Sequence, residues 1–194
     1  MELQDVIRKR RMVRAFEDRP VPAAAVERIL ENAIRAPSAG FSQGWGFLVL
    51  DEPDPRATFW RTAWPGDVSD VYDDMRRAPV VILPLANKQA YLDRYAEPDK
   101  GWLDKSESHW PVPYWYIDTG FASLLMLLTA LDEGLAAVFI GCPQIDAVRA
   151  AFGIPEQYTP IGAICIGYGA PDKKSPSLKR GRKGVEVVVH HNRW

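Results

Sequence analysis

Two clusters of basic side chains lie near the two ends of a chain of 194 residues whose formal net charge is −1. Arginine holds phosphate well, because its planar guanidinium donates paired, charge-assisted hydrogen bonds. Two clusters in a nearly neutral chain therefore favour a local anionic ligand, although a solvated helix face and a basic tail would give the same pattern. The clustered residues are Arg8, Lys9, Arg10, Arg11 and Arg14, then Lys173, Lys174, Lys179, Arg180, Arg182 and Lys183.

A turn of small residues and an aromatic-rich segment suggest what else this ligand carries. In APSAGFSQGWGF, Ser38 and Gln43 have the donors and acceptors to satisfy the amide-like edge of a ring. Residues 87–116 have no clear periodicity and contain seven Trp and Tyr residues, as expected of a lid over a planar ligand. An insertion packed on the surface by its own aromatics remains the alternative. Together the features favour a phosphorylated planar heterocycle, either a nucleotide or a flavin.

Several other kinds of site are not predicted. The chain has no GxxxxGK[ST] phosphate loop, no GxGxxG turn after a strand and no GxSxG elbow. Adjacent His190 and His191 would point to opposite faces of a strand, so no metal site is expected. Cys142 and Cys165 stand in apolar surroundings, which favours structural thiols and a reducing, cytoplasmic location. The near-neutral charge argues against nucleic acid, and the apolar run at 121–131 is too short to span a membrane.

The hydrophobic periodicity predicts a mixture of helices and strands in an α+β domain. A first short helix contains Leu3, Val6 and Ile7, and DEPDP after the first strand is interpreted as a turn. A long apolar helix should begin at a cap formed by Asp118 or Thr119 and end at Gly134. The other predicted helices are 22–34, 68–77 and 143–152, and the predicted strands are 47–50, 79–86, 136–140, 161–167 and 185–189.

Four stretches in order, KRRMVRAF, APSAGFSQGWGF, FIG after the long helix and RGRKGVEVVVHHNRW, resemble the nitroreductase family of flavin-dependent oxidoreductases. The resemblance covers nearly the whole chain and implies one domain over residues 1–194. The implied fold is a three-layer sandwich with a mixed, mainly antiparallel sheet flanked by helices. It also implies a homodimer formed over long helices, with exchange of the C-terminal arms. Residues 87–116 would be the lid or substrate loop, and residues 172–194 the basic loop and arm.

The resemblance implies FMN as cofactor and assigns residues to it. The opening arginines and the terminal basic pair would hold the phosphate and ring, while the turn would contact the flavin from the partner subunit. No side chain need act as acid or base, and Arg14 is the candidate for stabilising the reduced, anionic flavin. The implied cofactor-binding residues are Arg10, Arg11, Arg14, Ser38, Gln43, Ile140, Gly141, Arg180 and Arg182.

Three positions depart from the family pattern, and the lid supplies the candidates for contact with the substrate. Met12 stands where Ser is usual, Phe41 where Asn is common, and Gly44 where Pro is common. Replacing Ser by Met loses one hydroxyl contact to the phosphate, and Phe41 alters what reaches the flavin. The candidate substrate-binding residues are Phe41, Trp110, Tyr114 and Trp115.

The function implied by the resemblance is transfer of reducing equivalents from NADH or NADPH through FMN to an electron-poor acceptor, such as a nitroaromatic or quinone. Alternatives are a protein that sequesters flavin without turnover, a family member that reduces a deazaflavin or a halogenated aromatic, and a basic module for a polyanion. The sequence leaves open the physiological acceptor and the choice between NADH and NADPH.

Overall fold

The computed structural model describes residues 1–66, 70–173 and 175–194, and it confirms an α+β fold. A five-stranded sheet has the order β1-β2-β5-β3, with β4 pairing beside β2. Every strand pair within the described residues is antiparallel, so the parallel component expected of a mixed sheet is not seen there. The strands are β1 (Trp45–Leu50), β2 (Val80–Asn87), β3 (Ala136–Ile140), β4 (Tyr158–Pro160) and β5 (Ala163–Gly167).

Helices cover both faces of this sheet, as in a three-layer sandwich. Alternation along β2 sends Val81 and Leu83 into one core cluster, while Val80 and Ile82 enter the other. The first cluster is completed by α3, α4 and α7, and the second by α2 and α6. The helices are α1 (Leu3–Lys9), α2 (Ala23–Ala33), α3 (Pro53–Ala63), α4 (Asp70–Arg76), α5 (Lys88–Tyr95), α6 (Tyr114–Asp132), α7 (Ile145–Phe152) and α8 (Val185–Val188).

Some predicted elements are confirmed and others have different bounds. The helices α1, α2 and α7 lie where expected, and α7 ends at Gly153 in the left-handed conformation. The predicted strand 161–167 is β5, preceded by the separate short strand β4. The helix predicted at 68–77 corresponds to α4, and the first two predicted positions, 68 and 69, lie outside the described residues. Helix α6 begins at Tyr114, so Asp118 and Thr119 are buried inside it and do not cap it.

Three predictions about local structure were wrong. The DEPDP stretch opens α3, because proline fits a helical first turn, where the backbone N–H has no intrahelical partner. Residues 88–95 form α5, whose N-cap Asn87 accepts a side-chain hydrogen bond from the N–H of Ala90. The strand predicted at 185–189 is instead the single-turn helix α8, and its valines are exposed. A strand needs a neighbour to pair with, and within the described residues of this chain the segment has none.

Helix α6 is buried on one side only. Ala122, Met126 and Ala130 pack into the second core cluster, whereas Phe121 and Leu124 on the other side are exposed. By length and composition α6 is apolar enough to cross a membrane, a test that the core helix of a globular protein also passes. The packing of α6 against α2 and the sheet is that of such a core helix.

Candidate functional site

The segment after α1 is extended and runs beside β3. The N–H of Val13 donates to the carbonyl of Ala137 at 3.1 Å, and the N–H of Phe139 donates to the sulfur of Met12 at 3.5 Å. Val13 and Ala15 are buried, whereas the alternate residues Met12 and Arg14 remain partly exposed. Extended backbone alternates its side chains in this way, so Arg14 points to the side opposite Val13 and Ala15.

The two ends of the chain meet in a cleft of about 290 Å³, named here the arginine cleft. The N–H of Arg14 donates to Oδ2 of Asp172 at 3.0 Å, which ties the N-terminal segment to the C-terminal one. Arg180 ends the neighbouring 3-10 turn and does not line the cleft, and Lys174 lies outside the described residues. The lining residues are Arg10, Arg11, Met12, Arg14, Asp172, Ser175, Ser177, Leu178 and Arg182.

The guanidinium groups in this cleft lack anionic partners. Nη1 of Arg10 is buried and has no hydrogen-bond acceptor among the described residues. No ion pair of the described chain involves Arg10, Arg11, Arg14 or Arg182, although Arg28 and Arg94 elsewhere pair with carboxylates. A buried donor without an acceptor costs free energy, which a strongly accepting ligand can recover. Four guanidinium groups and two serine hydroxyls match the oxygens of a phosphate. The residues present therefore fit the phosphate of FMN.

The small-residue turn is a 3-10 turn over Ala39–Phe41 with an unusual backbone. Gly40, Phe41 and Gln43 all have positive φ, at 61°, 56° and 48°. The hydroxyl of Ser38 accepts from the N–H of Gln43 at 3.0 Å, so Ser38 stabilises the turn itself. The Gln43 side chain is exposed and makes no hydrogen bond to the described residues. Phe41 is 74% exposed, leaving both side chains available to a ligand or another subunit.

Packing against α5 explains why this turn contains glycines. A Cβ atom on Gly40 would lie 2.6 Å from the ring of Tyr95, and one on Gly44 would lie 2.4 Å from the ring of Tyr91. Both distances are shorter than carbon atoms normally approach, so any other residue would force the tyrosine ring or the backbone to shift. At these two positions of the turn, the close neighbour that requires glycine is therefore a tyrosine of α5.

The aromatic residues of 87–116 pack on one another. Trp110 has ring contacts with Tyr91, Tyr95, Trp102 and Trp115 at centroid distances of 4.5–6.1 Å. Trp115, a predicted substrate contact, is only 3% exposed and belongs to a core cluster, so its side chain is not accessible from solvent in this chain. Tyr114 is 41% exposed and stays accessible. The geometry therefore favours the alternative of an insertion packed by its own aromatics.

The structure does not bring all predicted residues into one place within one chain. Among the described residues, no hydrogen bond, ion pair or shared cleft joins the turn to the arginine cleft. Ile140 ends β3 and packs on the first core cluster, while the following Gly141 is exposed. Sequence reasoning missed Ser175 and Ser177, for which the only signal was their place within the basic stretch KKSPSLKR.

Both cysteines are free and buried. Burial raises the pKa of the Cys142 thiol above its ordinary value and raises that of Cys165 to about 12. Because the thiolate is the reactive form, neither thiol is activated. The described residues contain no group of three or more His, Cys, Asp and Glu side chains that could hold a metal ion.

Comparison with known proteins gives consistent matches over the chain. The sequence profile of the nitroreductase family matches residues 7–66 and 71–168. The chain is 28% identical over 184 residues to NADH dehydrogenase of Thermus thermophilus, covering 84% of this chain and 85% of that protein. A nitroreductase family protein of Clostridium difficile 630 superposes with a TM-score of 0.76, at 25% identity and full coverage of both chains. An Exiguobacterium sibiricum protein solved in complex with FMN shares the fold, with a TM-score of 0.69, 22% identity and coverage of 95% and 98%.

Proposed function

The chain belongs to the nitroreductase family, and from that premise we propose that it is an FMN-dependent oxidoreductase. In this proposal it takes hydride from NADH or NADPH and passes reducing equivalents to an electron-poor acceptor, such as a nitroaromatic or quinone. The observation that carries the proposal is the arginine cleft, whose lining includes Arg10 with a buried Nη1 that has no partner among the described residues. The FMN complex of the Exiguobacterium sibiricum protein and the name of the Thermus relative support it.

The chain's own residues would bind and orient the cofactor. Arg10, Arg11 and Arg182 would neutralise the phosphate, and the hydroxyls of Ser175 and Ser177 would complete its hydrogen bonds. When bound, FMN supplies the hydride chemistry. Arg14 lines the same cleft and has one long bond, 3.4 Å, from Nη1 to the carbonyl of Met12. Its charge would favour the anionic, reduced state of the cofactor.

We further propose a homodimer that completes each site with the partner's turn. Phe121 and Leu124 on the outer side of α6 are exposed, and an apolar helix face of this kind needs a covering surface. The C-terminal segment carries exposed valines and Trp194, which is 97% exposed, so an exchanged arm would bury them on a second copy. Replacing Phe121 and Leu124 together by Glu should produce monomers in sedimentation equilibrium. A wild-type protein that is monomeric at micromolar concentration would contradict this assembly.

We also propose a reducing, cytoplasmic location and a small-molecule acceptor, without nucleic acid or membrane as partner. Two free, buried cysteines support the reducing compartment. The net charge of −1 supports the absence of a polyanion as partner.

A flavin-sequestering protein without turnover is the second candidate, and the departure at Met12 motivates it. Methionine offers the phosphate no hydroxyl where the family pattern has serine, and the Met12 sulfur accepts instead from the N–H of Phe139. The absorbance spectrum of the purified protein, followed by addition of NADH or NADPH, separates the candidates. Bound flavin that is bleached by one nucleotide and re-oxidised by a quinone supports the enzyme. Bound flavin that is never reduced supports sequestration, and a protein that binds no flavin refutes both.

A further inference from the structure

A carboxylate is buried in the first half of α6, where a charge is costly unless hydrogen bonds compensate for its lost hydration. Asp118 is 2% exposed. Its Oδ2 accepts from the hydroxyl of Tyr91 at 2.7 Å and from the backbone N–H of Ala39 at 2.8 Å. One oxygen therefore joins α6 to α5 and to the start of the small-residue turn.

The turn needs such support because its backbone is strained. Phe41 and Gln43 have positive φ, a conformation that is unfavourable for a residue with a side chain and persists only where the surroundings enforce it. The restraints come from α5 and α6. The N–H of Ala39 is held by Asp118, and the carbonyl of Gly40 accepts from Nε of Arg94 at 2.9 Å. These two bonds hold successive residues immediately before Phe41.

Tyr91 serves this arrangement as a permanent donor. Its ring is fully buried and lies under Gly44, at the other end of the turn. Burial raises the pKa of its hydroxyl well above the ordinary value, and the bond to Asp118 acts in the same direction. The hydroxyl therefore stays protonated, so it can always donate to the carboxylate.

We propose that Asp118 is a positioning residue for the turn that carries Ser38 and Gln43. In this role it does not touch the ligand, but it holds the backbone from which those two side chains reach a flavin. Tyr91 links it to α5, so the affinity of the turn for FMN depends on the packing of the aromatic segment. The part of this inference that concerns FMN rests on the proposed function, whereas the anchoring of the turn does not.

Four variants separate a positioning role from general stability. Asp118→Ala removes the acceptor, Asp118→Asn keeps an oxygen acceptor of the same shape, and Tyr91→Phe removes one donor. Thr129→Val is the matched control, because Thr129 is also buried on α6 and loses only its 3.0 Å bond from Asn32. Two quantities are measured in each variant: amide hydrogen exchange at residues 39–43 in FMN-free protein, and the FMN dissociation constant from flavin fluorescence.

Asp118→Ala should speed exchange at Ala39 and weaken FMN binding, each by about tenfold, as expected for losing a hydrogen bond to a charged group. In Asp118→Asn, the exchange rate at Ala39 and the FMN dissociation constant should both lie within about threefold of the wild-type values. In Tyr91→Phe, the exchange rate should lie between those of the wild type and Asp118→Ala. Thr129→Val should lower the melting temperature and change neither quantity.

The proposal is overturned if Thr129→Val speeds exchange at residues 39–43 as much as Asp118→Ala does, or if Asp118→Asn rescues nothing. If Asp118→Ala fails to fold, Tyr91→Phe provides the test. Unchanged exchange at Ala39 in Tyr91→Phe would then refute the proposal that Asp118 holds the turn. Wild-type protein that binds no FMN would instead refute the proposed function, while the exchange measurements, which contain no flavin, would still test the anchor.

Discussion

The arginine cleft and the small-residue turn differ in whether their polar groups are paired within the protein. In the cleft, Arg10, Arg11, Arg14 and Arg182 converge without an anionic partner from the described chain. In the turn, the polar groups of Ser38, Ala39 and Gly40 are bonded within the protein. Guanidinium groups without partners remain available to bind a ligand, whereas a turn whose polar groups are already hydrogen-bonded is preorganised before the ligand binds. Changes in the cleft should therefore alter affinity directly, whereas changes beneath the turn should alter stability and should change affinity only by displacing the turn.

The largest effect is expected under the turn, at Trp115. Trp115→Ala should lower the free energy of unfolding by about 3–5 kcal/mol, because it leaves a cavity among Tyr91, Trp110 and Tyr116. Tyr114→Ala is the control, since the neighbouring ring is partly exposed and should cost much less. Urea denaturation of the FMN-free proteins measures both. Equal, small losses would mean that the aromatic segment is a mobile lid.

In the cleft, Arg10→Ala should weaken FMN binding by about 1.5–3 kcal/mol, the range for hydrogen bonds to charged groups. The unfolding free energy of the FMN-free protein should hardly change, because the Nη1 atom that is lost has no acceptor in the part of the chain that the structure describes. Arg180→Ala, outside the cleft, should leave the affinity unaltered. Flavin fluorescence titration measures these affinities. Similar losses in both variants would indicate that net charge, and not this cleft, binds the phosphate.

Arg14 tests whether the cleft also influences the cofactor's redox state. Arg14→Met keeps much of the apolar stem and removes a charge worth about 1–3 kcal/mol to the reduced flavin. At about 30 mV per 1.4 kcal/mol for a two-electron couple, the midpoint potential should fall by roughly 20–65 mV. Arg8→Met is the control, because that arginine is exposed and pairs with Asp5. Dye-equilibration titration gives the potentials, and an unchanged or higher potential in Arg14→Met would contradict the assignment.

The smallest expected effect compares two glycines. Gly40 and Gly101 both have positive φ, but only Gly40 has a ring where its Cβ would lie. Gly101→Ala should cost about 1 kcal/mol of stability for the left-handed backbone conformation alone. Gly40→Ala should cost about 1 kcal/mol more, because Tyr95 must move. Thermal unfolding of the two variants measures the difference, and equal costs would show that the ring moves aside freely.

The fold could be predicted in large part because it depends on local patterns. The periodicity of α2 and the apolar runs of β2 and β5 are properties of neighbouring residues. The errors arose where tertiary contacts override local preference. Proline in the first turn of α3 resembles a turn signal, and α5 is short with a single buried residue, Tyr91, which gives little periodicity to recognise. The segment 185–189 has strand-like residues, yet a strand requires a partner that this chain does not provide among its described residues.

The sequence by itself determined the residue types of this protein's site, whereas the tertiary structure decided where they lie. The sequence contains the two basic clusters, the small-residue turn and the aromatic segment, and their order carries the likeness to the nitroreductase family. Only the folded chain brings Arg10, Arg11, Arg14 and Arg182 into one cleft, leaves Arg180 outside it and buries Trp115. It also turns Asp118 from an expected helix cap into a buried acceptor for Ala39 and Tyr91. The physical reason is that burial and hydrogen-bond pairing arise between residues far apart in the chain, which no local pattern specifies.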